Sequence, residues 1–95
     1  MEYQLRIYEV KDGQMDAFLD IFPSVVEARR AVGFNVIGAW VIPQDNQFIW
    51  IVGAEDGIEA TSEKYYASEQ RRAIEPEPAK LLQTIETRTM VAVPI

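Results

Sequence analysis

The sequence predicts an α+β fold: a four-stranded antiparallel sheet with two helices on one face and an apolar second face. Three observations carry this expectation. Segments with the alternating period of strands and the longer period of amphipathic helices follow one another in the order β-α-β-β-α-β. Turn and cap residues separate them. The two middle strands, within FNVIGAWVIPQDNQFIWIVG, are apolar on both faces, whereas an antiparallel strand with one face in water alternates apolar and polar residues. A chain of 95 residues has helix enough to cover one face of such a sheet. The other face is therefore expected to pack on a second copy, sheet against sheet.

The first strand spans residues 2–10, with Tyr3, Leu5 and Ile7 on one face and Arg6, Tyr8 and Val10 on the other. Lys11-Asp12-Gly13 is turn chemistry, with Asp12 placed to cap a following helix. Residues 14–32 carry a helical stripe through Met15, Phe18, Leu19, Phe22, Val25 or Val26, and Val32. Pro23 removes one backbone donor there and predicts a kink or two helical pieces, and Gly33 is the stop.

In the hairpin, Phe34, Val36, Trp40 and Ile42 point one way and Ile37, Ala39 and Val41 the other. A three-residue loop Gln44-Asp45-Asn46, with Asn46 left-handed, sets Trp40 opposite Trp50; a two-residue Asp45-Asn46 turn sets Trp40 opposite Ile51. The first register is preferred. Asp56-Gly57-Ile58-Glu59 has the form of a capping box. It opens a second helix to about Arg72, with Ile58, Thr61, Tyr65 and Ser68 or Glu69 on one stripe. Glu75-Pro76-Glu77-Pro78 breaks the chain direction, Ala79 to Gln83 allows one short helical turn, and residues 84–93 form the last strand. Sequential pairing and right-handed crossovers turn this order into a ferredoxin-like sheet in a single domain, residues 1–95.

Composition excludes several functions. The net charge of −6 disfavours a nucleic-acid partner, because phosphate backbones need a basic surface. No apolar run approaches a membrane span, and MEYQLRIYEV lacks the form of a signal peptide, so the expected compartment is the cytoplasm. The chain has no Cys and no His. Disulfides, thiol nucleophiles, zinc–thiolate sites, serine–histidine catalysis and histidine-ligated iron are all ruled out. No metal and no cofactor is expected, and chemistry is left to carboxylates, Tyr, Trp, Arg, Lys and Asn.

Several short patterns together resemble the NIPSNAP proteins. They are Tyr3-x-Leu5-Arg6-x-Tyr8, Gly13 before a helix carrying Phe18 and Phe22, Gly38-x-Trp40, and Asn46-x-Phe48-x-Trp50. Tyr65-Tyr66-x-Ser68 with Arg71-Arg72, and the closing Glu86-Thr87-Arg88, complete the set. The likeness spans nearly the whole chain and rests on order and spacing. It implies assembly as a dimeric α+β barrel, in which two ferredoxin-like protomers form a barrel with helices outside. NIPSNAP-type proteins have no settled general activity. The same superfamily includes cofactor-independent monooxygenases acting on polycyclic aromatics, and haem-degrading and EthD-type proteins that rely on His, which this chain lacks.

Six residues are candidates for binding a substrate or ligand: Arg6, Tyr8, Trp40, Trp50, Tyr65 and Tyr66. Trp40 and Trp50 suit an aromatic wall and equally suit core or interface packing. Tyr65 and Tyr66 point about 100° apart on a helix, so one belongs in the core and the other at a pocket mouth. Arg6 shares a face with Tyr8 and can hold an anionic or phenolate ligand, pair with Glu86 or Glu9, or reach solvent. Arg71 and Arg72 suit the negative end of their helix, and Arg29, Arg30 and Glu27 read as a solvated face.

The leading expectation is a homodimer that binds an apolar or aromatic small molecule in a pocket between sheet and helices. A cofactor-independent monooxygenase, with Arg6 stabilising a substrate anion, is the first alternative. An assembly module without a ligand is the second. A cavity of roughly 300 Å³ or more separates the first two from the third.

Overall fold

A computed structural model describes all residues, 1–95. Strands β1 (Glu2–Val10), β2 (Phe34–Ile42), β3 (Gln47–Ala54) and β4 (Leu82–Met90) form one antiparallel sheet in the order β2-β3-β1-β4. Helix α1 (Met15–Ala31) links the first two strands; α2 (Ile58–Ala67) and α3 (Glu69–Arg72) link the last two. This is the ferredoxin-like arrangement that the element order predicts. No helix is long and apolar enough to cross a membrane.

Alternation along the central strands sorts the residues into two layers. Tyr8 and Val10 of β1, with Phe48, Trp50, Val52 and Ala54 of β3, are buried beneath the helices. They meet Phe18, Val25 and Ala28 of α1 and Ile58 and Tyr65 of α2 in one apolar cluster. Aromatic edges organise its centre: Phe18 meets Phe48 at 5.0 Å between ring centroids and Phe22 meets Trp50 at 5.0 Å, both edge to face. The opposite face shows Leu5, Ile7, Ile49 and Ile51, all partly exposed, and Trp40, 53% exposed. Nothing within one chain covers it, as the two-sided apolar pattern of the middle strands requires.

The hairpin register departs from expectation. Trp40 lies opposite Ile49, and Ala39 opposite Trp50. Pro43–Asp45 wind into a single 3-10 turn before the left-handed Asn46 (φ 51°), so four residues rather than three separate the paired Ile42 and Gln47. Upstream, the pairing runs Val36 to Val52 and then Gly38 to Ile51, leaving Ile37 as a bulge. One extra residue reverses the facing of everything beyond it. Phe34 and Val36 therefore face the helices while Trp40 and Ile42 face away, contrary to the expected common face. A Cβ at Gly38 would sit 2.7 Å from the Trp40 indole, so the half-exposed ring would have to shift to admit any other residue.

Other local expectations also change. Pro23 sits within one continuous helix. Gln14, not Asp12, holds the cap position of α1, and no side chain bonds there. Residues 58–72 divide into two helices because the Ser68 hydroxyl donates to the Tyr65 carbonyl and then accepts from the Arg71 amide. The last strand starts at Leu82 and ends at Met90.

The start of α2 is capped from a distance. Glu2 on β1 accepts a 2.7 Å hydrogen bond from the Ile58 amide, while Gly57 takes the cap position at φ 94°. The Asp56 side chain forms no cap bond. Glu2→Ala should therefore cost about 1 kcal/mol of stability by denaturant titration, and Asp56→Ala much less. Equal losses would return the capping role to Asp56.

Candidate functional site

A cavity of about 220 Å³ opens between the helix-facing side of the sheet and the α1–α2–α3 layer. β1 brings Arg6 and Tyr8, α1 brings Phe18, Val25 and Arg29, and α2 brings Tyr65 and Tyr66. Arg71 of α3 and Glu77 just beyond it close one side, with Leu82 and Ile85 of β4 on another.

Four of the six sequence candidates meet here: Arg6, Tyr8, Tyr65 and Tyr66. Tyr65 is buried and Tyr66 half exposed, as their angular separation on the helix requires. Trp50 is fully buried within the core and does not line the cavity. Trp40 stands on the opposite face of the sheet, so the two indoles share no wall. The sequence reading missed Arg29, Arg71 and Glu77. Arg29, expected on a solvated face, is 2% exposed. Its spacing from Val25 and Val32 places it in the apolar stripe of α1, which was the available signal.

The three arginines are held differently. Arg6 donates from Nε to the Tyr8 hydroxyl at 2.7 Å and from Nη1 to the Gln4 side-chain oxygen at 2.6 Å. Glu86, an expected partner, lies on the other side of the sheet and pairs with Arg88. Burial works against the Arg6 charge, but the Tyr8 hydroxyl beside it turns the net pKa shift upward.

Arg29 is stacked rather than paired. Its guanidinium carbon lies 4.0 Å from the Tyr65 ring centre, 4.9 Å from Phe34 and 5.4 Å from Trp50. Only Nη2 reaches an oxygen, the Tyr66 hydroxyl at a long 3.5 Å, while Nε and Nη1 have no protein partner. Burial first, and the Arg6 guanidinium second, lower its pKa. Burial also pushes the Tyr65 hydroxyl up against the pull of Arg29 and Arg71, so this phenol is neutral and supplies no counter-charge.

Arg71 is the paired one. Both its terminal nitrogens donate to the Glu77 carboxylate, one at 3.0 Å. That bond raises the Arg71 pKa and holds Glu77 below its usual carboxylate range. A depressed carboxylate stabilises the fold above its unfolded pKa and loses that contribution as pH falls through the folded value. The Glu77 side chain is 42% exposed, so solvent limits the pair to about 1 kcal/mol or less. Glu77→Gln should lose this much at pH 7 and match wild type in denaturant titrations near pH 3. A gap that persists in acid would mean the pair is not its source.

The lining thus holds three guanidinium groups against one carboxylate, within a chain whose net charge is −6. No group of three or more Asp or Glu side chains is placed to hold a metal ion.

No protein-family model matches the chain, and no curated protein does. Solved structures match it closely in fold. An uncharacterized NIPSNAP domain protein from Burkholderia xenovorans aligns with a TM-score of 0.84 at 20% identity, over 98% of this chain and 95% of that one. A NIPSNAP family protein from Agrobacterium tumefaciens aligns at 0.84 and 21%, over 97% and 92%. An antibiotic biosynthesis monooxygenase aligns at 0.75 and 19%, over 99% and 100%. The chain has the ferredoxin-like fold of these NIPSNAP proteins.

Proposed function

We infer that this NIPSNAP-like chain is a cytoplasmic homodimer that holds a small apolar or aromatic molecule between its sheet and helices. The cavity carries this reading: Phe18, Val25, Leu82, Ile85 and the tyrosines surround it with apolar surface and a few polar groups, as small-molecule sites are built. The uncovered apolar face of the sheet supports the dimer.

The volume falls short of the roughly 300 Å³ expected of a ligand site from the sequence. A space of about 220 Å³ lies below the ~300 Å³ at which drug-sized sites begin, but an apolar cavity of ~150 Å³ is enough for benzene. This is room for about one substituted ring. This narrows the monooxygenase alternative, whose remaining support is the fold shared with proteins of that name.

Native mass spectrometry of freshly purified protein tests the inference. A dimer carrying one extra small mass per chain is the expected spectrum. A monomer removes the dimer, and a bare protein that also takes up no single-ring aromatic removes the ligand. Protein-dependent oxygen uptake that places one oxygen atom of O2 in the product of a single-ring hydroquinone and releases the other as water would support the monooxygenase reading, and no such uptake would leave a binding protein.

A further inference from the structure

We propose that the molecule held in this cavity is a small carboxylic acid, bound as its carboxylate, with Arg29 and Arg6 as the anchoring pair and the apolar lining around its body. This rests on the cavity being a ligand site and adds the ligand's charge and its anchor.

Arg29 carries the inference. Arg29 is 2% exposed, and a buried guanidinium is costly unless its charge and its donors are met. Here neither is met by the protein. No carboxylate lies within ion-pair distance of Arg29 or Arg6, since the chain's two ion pairs are Arg71–Glu77 and Arg88–Glu86. Nε and Nη1 of Arg29 are buried without a hydrogen-bond partner, and the side chain lines the cavity. Stacking on Tyr65, Phe34 and Trp50 fixes the plane of the guanidinium but leaves its N–H groups unspent.

Arg6 doubles the demand. It is 7% exposed and touches the same Trp50 indole, its guanidinium carbon 5.9 Å from the ring centre against 5.4 Å for Arg29. Tyr8 and Gln4 satisfy two of its donors but bring no negative charge. Two like charges near one indole repel one another, and an anion in the cavity that both side chains line would offset that repulsion.

The chemistry of the walls selects the kind of anion. A carboxylate offers up to four acceptor sites on two oxygens, which suits a cavity lined by two guanidinium groups without a counter-charge. Phe18, Val25, Leu82 and Ile85 offer the rest of the molecule no polar partner. The ligand class is therefore an acid with an apolar body of about one ring, such as a benzoate.

Calorimetric titration tests this, using the purified protein dialysed free of bound molecules. The probes are sodium benzoate and benzamide, a neutral molecule of nearly the same shape. Benzoate should bind once per chain and at least about tenfold more tightly than benzamide. Arg29→Met should retain the fold, because it removes a buried charge that has no protein partner and keeps the apolar stem. It should lose benzoate affinity by about tenfold or more and lose less for benzamide, so that the preference between the two probes shrinks. If Arg29→Met does not fold, Arg6→Met carries the same expectation. Equal affinity for benzoate and benzamide would overturn the charge requirement and leave the cavity-ligand reading standing. Undiminished benzoate binding by folded Arg29→Met would remove Arg29 as the anchor. Binding of neither probe would remove both this proposal and the reading beneath it.

Discussion

Trp50→Ala should destabilise the protein by about 3–5 kcal/mol and lower Tm on the order of 15 °C or more, whereas Trp40→Ala should leave the isolated chain's fold nearly unchanged. Trp50 has no exposed surface and sits where β3 meets α1, with Phe22 edge-on at 5.0 Å and Tyr8 at 6.4 Å. Truncation leaves an indole-sized void in a cluster whose neighbours are held on the sheet and on α1 and collapse into it only in part. It also strips a stacking surface from both Arg6 and Arg29. Trp40, 53% exposed, lies over Gly38 on the open face and loses little within one chain. Thermal melts of the two variants under monomeric conditions decide the matter. Similar shifts would contradict the assignment of the two indoles to opposite faces.

If the proposed homodimer packs sheet on sheet, Ile49→Glu is expected to leave a folded monomer. Ile49 lies between Ile7 on β1 and Trp40 on β2, in the middle of the uncovered face. In a lone chain it is partly exposed, so a glutamate there keeps its water and the fold survives. In a sheet-on-sheet dimer the same carboxylate is buried against apolar side chains. An uncompensated buried charge costs about 3–5 kcal/mol, which weakens dimerisation by a factor on the order of 100 or more. Light scattering behind size exclusion reads the result, and circular dichroism confirms that the fold is intact. A wild-type monomer, or a variant dimer as tight as wild type, would mean that this face is not the interface.

The central strand β1 was fully legible in the sequence. Tyr8 and Val10 are buried with Arg6 on the helix side, and Leu5 and Ile7 are on the other, as the period of two dictates. The site was half legible. Arg6, Tyr8, Tyr65 and Tyr66 come from periodicity, because a strand face and a helix face each present a set of side chains in one direction. Arg29 was passed over although its spacing placed it in the apolar stripe, because charged residues are rarely buried without a partner.

Trp40 shows the opposite limit. Its sequence neighbourhood is apolar on both faces, and only the pairing with β3 reveals that Ile37 is an extra residue. A bulge is a property of two strands together, so no single-strand pattern contains it. Glu2 is a similar case, since its role at the α2 terminus depends on β1 and α2 meeting in space.

By itself, then, the sequence determined the element order, the ferredoxin-like topology and the presence of two apolar sheet faces. Each follows from local periodicity and from the rule that buried surface must be covered. Only the tertiary structure decided the hairpin register, the distant cap on α2 and the unpaired guanidinium groups around the cavity. Those depend on which residues far apart in the chain come within a few ångströms, and periodicity records the direction a side chain faces but not what it meets.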